Sequence, residues 1–181
     1  MHDPDLMIDS DEANLDASSS VPSRLSSTVS VALSINGDAV NPEVDTRLTL
    51  LDFLRERARL TGTKKGCNRG ECGSCTLLVD DRRVNACMIL MASLDGRRVT
   101  TIEGLATNGE LHPVQEAFID QDAFQCGFCT PGQIMSAVGC INEGHANDPV
   151  EIREWMSGNL CRCSAYPQIS AAVHAAAQAL S

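Results

Sequence analysis

Cysteine is the residue type in this 181-residue sequence whose spacing points to a defined chemistry. Three cysteines stand in KKGCNRGECGSC at the spacing Cys-x4-Cys-x2-Cys, and a fourth follows twelve positions later: Cys67, Cys72, Cys75 and Cys87. The x4 and x2 spacing is typical of plant-type [2Fe–2S] loops. Glycines give this loop the φ freedom to fold tightly around a cluster, and they lie at Gly66, Gly70 and Gly73.

A second set of four cysteines lies in the C-terminal half, as one Cys-x2-Cys pair and one Cys-x-Cys pair. The pairs stand in QCGFCTPGQ and SGNLCRCSAYPQI: Cys126, Cys129, Cys161 and Cys163. The first pair directly precedes Thr130-Pro131, which is predicted to start a helix, and a helix N-terminus favours the thiolate form of cysteine. The ninth cysteine, Cys140, belongs to neither set and is interpreted as a small buried hydrophobic residue.

Other uses of cysteine remain as alternatives. A structural zinc site also takes four thiolates, although three ligands in one glycine-rich loop favour an iron–sulfur cluster. Cys126 and Cys129 alone could form a thioredoxin-like redox pair, but this would require a preceding strand, and the surrounding sequence is predicted to be helical. Disulfides are disfavoured because the N-terminal sequence shows neither a secretory nor a twin-arginine signal. We therefore expect a reducing, cytoplasmic location, and no signal supports a periplasmic one.

The composition excludes several classes of function. The chain has 24 acidic residues against 14 basic ones, so it lacks the basic surface of a nucleic-acid-binding protein. No stretch approaches about 18 consecutive apolar residues, so no transmembrane segment is expected. Residues 1–27 contain six acidic residues followed by a serine-rich stretch, and they are predicted to form an acidic disordered tail. Without these acids the net charge would change from −10 to −4.

The first cysteine set lies in a segment with strand-like periodicity. Alternating apolar residues and turn signals predict two β-hairpins, centred on Asn36-Gly37 and Asp80-Asp81, and a last strand at residues 99–102. An amphipathic helix is predicted between the hairpins, with Gly62 as its end. Residues 28–103 are therefore predicted to form a small mixed sheet with one packed helix.

The second cysteine set lies in a segment whose start and stop signals are all helical. Proline stands in the first turn of three predicted helices, which begin at His112-Pro113, Thr130-Pro131 and Asp148-Pro149. Glu151 occupies the position of a capping-box acid in the third of these helices. A fourth, alanine-rich helix is predicted near the C-terminus. Residues 104–181 are thus predicted to be an all-α domain, and the fold class of the chain to be α+β.

Both cysteine sets, in this order, resemble the iron–sulfur subunit of the xanthine oxidase family of molybdenum hydroxylases, and most closely the bacterial three-subunit aldehyde-oxidising members. The resemblance covers residues 28–180 and is carried by TGTKKGCNRGECGSCT, QCGFCTPGQ and GNLCRCSAYPQI. It implies an N-terminal β-grasp ferredoxin domain of the plant type, followed by a four-helix [2Fe–2S] domain. Ser164 departs from the glycine expected there, which adds a side chain near the cluster but removes no ligand.

The resemblance also implies cofactors, partners and ligands. The flavin-side [2Fe–2S] cluster would be held by Cys67, Cys72, Cys75 and Cys87, and the molybdenum-side cluster by Cys126, Cys129, Cys161 and Cys163. Gln125 matches a residue that contacts the pterin, and Cys163 matches the ligand whose sulfur approaches it. A large partner subunit would bind the molybdopterin cofactor and a medium subunit would bind FAD. The chain would carry electrons between these sites during oxidation of an aldehyde or N-heterocycle.

The residues by themselves leave two other functions open. No pair of carboxylates is placed for acid–base chemistry, and the lone histidines form no catalytic cluster, so the chain is expected to carry electrons without a substrate site of its own. A free-standing two-cluster ferredoxin would contain the same two cysteine sets. A zinc-binding interaction module, a different class of protein, would use them as structural ligands and would be colourless.

Overall fold

A computed structural model describes residues 27–180, so the predicted acidic tail lies outside the described residues apart from Ser27. The first half contains short strands: β1 (Thr28–Ser30), β2 (Leu33–Ile35), β3 (Asp38–Val40), β4 (Glu43–Asp45), β5 (Thr76–Val79), β6 (Arg82–Asn85) and β7 (Arg98–Thr100). Five of them form a sheet in the order β3-β2-β7-β5-β6, in which β2 and β7 are parallel and the other pairs are antiparallel. Strands β1 and β4 form a separate antiparallel pair.

Both predicted hairpins are confirmed, and their turns use left-handed backbone conformations. Asn36 and Gly37 have φ values of 52° and 91° between β2 and β3. Asp80 and Asp81 have φ values of 47° and 65° between β5 and β6. A two-residue type I′ turn requires positive φ at both central residues. These turns therefore determine the registers of the β2–β3 and β5–β6 pairs.

The helix of the first half is shorter than predicted. Helix α1 (Leu50–Asp52) continues directly as a π-helical segment (Phe53–Arg57). The chain leaves this segment at Arg59, which has a φ of 60°, so the prediction that Gly62 ends the helix is wrong. Gly62 instead permits a close approach, because a Cβ at this position would lie 2.3 Å from Cγ2 of Ile102.

Four helices follow in the described part of the second half: α2 (Pro113–Asp120), α3 (Thr130–Asn142), α4 (Pro149–Trp155) and α5 (Tyr166–Ala179). Three of them begin at the predicted X-Pro positions, and the Oδ1 atom of Asp148 caps α4 by accepting from the amides of Val150 and Glu151 at 2.7 and 3.0 Å. The capping-box prediction for Glu151 is wrong, because this carboxylate accepts from Asn147 and contacts His145.

The sheet and the helices pack against each other instead of being separate bodies. One apolar cluster lies under the sheet and a second lies among the helices, and Leu78 of β5 belongs to the helical cluster. Arg83 of β6 spans the same boundary, because its guanidinium pairs with Glu143 and donates to the Trp155 carbonyl at 2.9 Å. No helix in the described range is long and apolar enough to cross a membrane.

Candidate metal centres

The loop that carries the first cysteine set points main-chain N–H groups at its sulfur atoms. Sγ of Cys67 accepts from the amides of Glu71, Cys72 and Arg69 at 3.3, 3.4 and 3.5 Å. The amide of Gly70 donates to Sγ of Cys87 at 3.3 Å. The backbone path that directs these N–H groups toward the sulfurs requires a φ of +80° at Gly70, a conformation that favours glycine.

These surroundings divide the thiols of the first set into two kinds. The amide donors of Arg69 and Cys72 lower the pKa of Cys67 to about 6, so its sulfur is already a thiolate at neutral pH. Burial raises the pKa of the Cys75 thiol to about 12. Cys75 is 3% exposed and contacts the side chain of Cys87. A metal held by Cys75 would have to displace its proton, because the thiolate is the form that ligates metal.

The second cysteine set is assembled from the loop before α3 and the loop before α5. Cys126 contacts the side chain of Cys163, and Cys129 contacts the side chain of Cys161. The amide of Phe128 lowers the pKa of Cys126, whereas burial raises the pKa of Cys129 to about 12. The second set thus repeats the first, with one accessible, stabilised sulfur and one buried thiol. All nine cysteines lie in the described part of the chain, and none of them forms a disulfide there.

The two cysteine sets open onto one shared cavity of about 560 Å³, which is lined by the cysteine loops and the first residue of α5. Its walls include Cys67 and Cys72 from the first set and Cys126, Cys129 and Cys161 from the second. A direct backbone contact joins the two loops, because the amide of Leu160 donates to the carbonyl of Cys72 at 2.9 Å. The structure therefore brings together at one junction two sets that span residues 67–87 and 126–163 of the chain.

Two further polar side chains at this junction have no spacing signal in the sequence. The hydroxyl oxygen of Tyr166 accepts from the amide of Cys161 at 2.9 Å and holds the Cys-x-Cys segment against α5. The buried amide of Asn159 donates to the carbonyls of Gly73 and Gly132 at 2.9 and 3.2 Å. Neither residue belongs to the cysteine spacing itself, but both lie in GNLCRCSAYPQI, one of the segments that carry the family resemblance.

The remaining candidate residues are placed as follows. Gln125 is exposed in the loop directly before Cys126. Ser164 has a φ of 63°, which gives a physical reason for the expectation of glycine at this position. Cys140 is fully buried on α3, and its thiol donates to the carbonyl of His145 at 3.1 Å. His112 caps α2 by accepting from the amide of Val114 at 3.2 Å, as expected for an isolated histidine.

The residues present fit iron–sulfur clusters better than single metal ions. Each set offers four sulfurs, and the first set adds several N–H donors that would offset the negative charge of a thiolate-bound cluster. Across residues 27–180, no three His, Cys, Asp or Glu side chains converge closely enough to hold one ion.

Two family models match this arrangement and define the class of protein. Residues 33–100 match the 2Fe-2S iron-sulfur cluster binding domain, and residues 101–174 match the [2Fe-2S] binding domain. The chain is therefore an iron–sulfur protein with one such domain for each cysteine set, and the zinc alternative is not supported.

Curated relatives and a solved structure narrow this class to one family. The chain is 50% identical over 162 residues to the iron-sulfur-binding subunit of an aldehyde oxidoreductase of Escherichia coli, covering 81% of this chain and 71% of the relative. It is 41% identical to a probable xanthine dehydrogenase subunit of Bacillus subtilis, covering 74% of this chain and 77% of the relative. A crystal structure of quinoline 2-oxidoreductase from Pseudomonas putida superposes with a TM-score of 0.81 and 41% identity, covering 85% of this chain and 96% of that chain. The chain belongs to the iron–sulfur subunits of the xanthine oxidase family of molybdenum hydroxylases.

Proposed function

We propose that this chain is the electron-transfer subunit of a molybdenum hydroxylase complex that oxidises an aldehyde or an N-heterocycle. The observation that carries the proposal is the junction at which both cysteine sets line one cavity and a backbone hydrogen bond joins their loops. A bound [2Fe–2S] cluster exchanges electrons one at a time.

The proposal assigns four ligands to each of two clusters. The first cluster would be held by Cys67, Cys72, Cys75 and Cys87 in a domain of residues 28–103, and the second by Cys126, Cys129, Cys161 and Cys163 in a domain of residues 104–181. The mixed sheet order and its parallel β2–β7 pair support the β-grasp assignment of the first domain. Helices α2–α5 support the four-helix assignment of the second.

The proposal also gives the chain a partner on each side. A large subunit with a molybdopterin cofactor would lie beside the second set, where the exposed Gln125 and the partly exposed Cys163 would face the pterin. A medium subunit with FAD would lie beside the first set. The relatives named as subunits of an aldehyde oxidoreductase and of a xanthine dehydrogenase support an assembly of this kind.

Metal analysis and co-purification test the proposal together. The tagged full chain, purified anaerobically from its native host, should contain about four iron and four sulfide per chain and be coloured. Stoichiometric FAD and molybdopterin should co-purify in separate polypeptides. Zinc in place of iron, or a single cluster, would refute the cluster assignment. A monomer that retains both clusters and is reducible without either partner would instead identify a free-standing ferredoxin.

A further inference from the structure

The side chain of Asn159 is the centre of the contact between the two cysteine loops. This residue is only 6% exposed and lies in the turn between α4 and the Cys-x-Cys pair. Its Nδ2 atom donates to the Gly73 carbonyl at 2.9 Å, and to the Gly132 carbonyl and the Thr76 hydroxyl at 3.2 Å. One carboxamide therefore joins its own turn to two other segments of the chain, one at residues 73–76 and one at Gly132.

Each of these contacts involves a segment that carries cysteines. Gly73 lies between Cys72 and Cys75 of the first set, and Gly132 lies in the first turn of α3, three positions after Cys129. Asn159 itself precedes Cys161 by two positions. The position of this one amide is thus linked to both ligand loops of the second set and to the main loop of the first.

Two glycines allow the segments to approach closely enough for this contact. A Cβ on Gly73 would lie 2.7 Å from Nδ2 of Asn159 and 2.4 Å from the Gly158 carbonyl oxygen. A Cβ on Gly132 would lie 2.5 Å from the Gly73 carbonyl oxygen. Because these distances are too short for real side chains, any residue other than glycine would push the two loops apart.

The contact requires an amide and not only a side chain of the right size. The three acceptors around Nδ2 are oxygen atoms; an ionised aspartate of the same shape would place acceptors against them, and a protonated one would offer a single O–H in place of two N–H donors. A buried carboxylate without donors is strongly disfavoured, so the loops would separate or admit water. The backbone of Asn159 is also held, because Nε2 of Gln133 donates to its carbonyl at 2.9 Å.

We propose that Asn159 is a positioning residue that fixes the separation of the two cluster sites and thereby sets how strongly the clusters interact. The next residue, Leu160, makes the backbone hydrogen bond to Cys72, so a shift of Asn159 also lengthens the direct contact between the loops. This inference rests on the proposed function, because it requires two clusters in one chain.

Asn159→Asp in the full chain, loaded with iron and sulfide, tests the role. The measurement is the magnetic splitting that each reduced cluster causes in the electron paramagnetic resonance signal of the other, with the iron content determined in the same sample. We expect a smaller splitting with iron retained. Arg83→Met is the matched control, because Arg83 also spans the two halves but contacts neither cysteine loop. It should lower the unfolding temperature and leave the splitting unchanged.

Unchanged splitting in the iron-loaded Asn159→Asp protein overturns the positioning role. If that variant does not retain iron, Gly132→Ala is measured in its place. This variant keeps Asn159, and its new Cβ would lie too close to the Gly73 carbonyl oxygen for the two loops to keep their separation. A smaller splitting in Gly132→Ala supports the role, and an unchanged one overturns it. A wild-type chain with fewer than two clusters refutes the proposed function instead, so the two failures are distinguishable.

Discussion

Replacing Cys163 by alanine should remove one cluster and leave the other. Cys163 contacts Cys126 in the helical half, whereas amides of residues 67–72 donate to sulfur atoms of the first set. With two irons per cluster, the iron content should fall from about four to about two per chain, and the visible absorbance per chain should fall by about half. The signal of the surviving cluster should match its wild-type counterpart.

Cys140→Ala is the control for this experiment because it deletes a cysteine of the same half. Burial raises the pKa of Cys140 to about 11, so this residue is a neutral thiol at neutral pH and contacts a carbonyl instead of another cysteine. Its replacement should leave about four irons per chain. Iron and sulfide analysis, paramagnetic resonance and far-ultraviolet circular dichroism on the same samples give the result. Loss of both clusters from Cys163→Ala with the helical signal intact, or loss of either from Cys140→Ala, would refute the ligand assignment.

Two further predictions concern stability. Arg83→Met removes an ion pair with Glu143 and a hydrogen bond to the Trp155 carbonyl, and it should lower the free energy of unfolding by about 2 kcal/mol in denaturant titrations; no change would mean that the two halves do not depend on this contact. Burial lowers the pKa of His112 in the folded chain. As the pH falls below about 6.5, the imidazole is therefore protonated in the unfolded chain before it is protonated in the folded one, and the free energy of unfolding decreases. His112→Asn keeps a capping acceptor but removes the titrating imidazole. It should therefore reduce the fall in melting temperature between about pH 7.5 and 5.5. A fall of unchanged size would mean that other groups cause the pH dependence.

The sequence was informative for the hairpin turns and the starts of the helices, but less so for the helix end at Gly62 and the capping role of Glu151. The cysteine spacings, the two-residue turns at Asn36-Gly37 and Asp80-Asp81 and the X-Pro helix starts depend on residues close together in the chain, and the turns and helices are confirmed. The alternating residues 29–35 form two strands, β1 and β2, and this division was not predicted. Between the strands, the amide of Ala32 donates to the carboxylate of Asp95, which lies 63 positions away and beyond the reach of a local pattern.

The junction itself could not be predicted from the sequence. Asn159 and Gly73 are 86 positions apart, and no periodicity or motif relates an asparagine to a carbonyl at that distance. The same holds for the π-helical turn after α1, whose residues have an ordinary amphipathic helical pattern. In both cases tertiary packing determines the outcome, and single-sequence patterns report only local preferences.

The donors around the first cysteine set belong to the main chain, and this makes the site tolerant of side-chain change. Substitutions of Arg69 or Glu71 alter surface charge but keep the N–H groups that contact Sγ of Cys67. The hydrogen-bond donors around that sulfur are therefore set by the backbone path of the loop. Gly70 has a left-handed φ, so its replacement by another residue would strain this path. Substitutions can thus change the charge of this surface while keeping the same hydrogen-bond donors around the Cys67 sulfur.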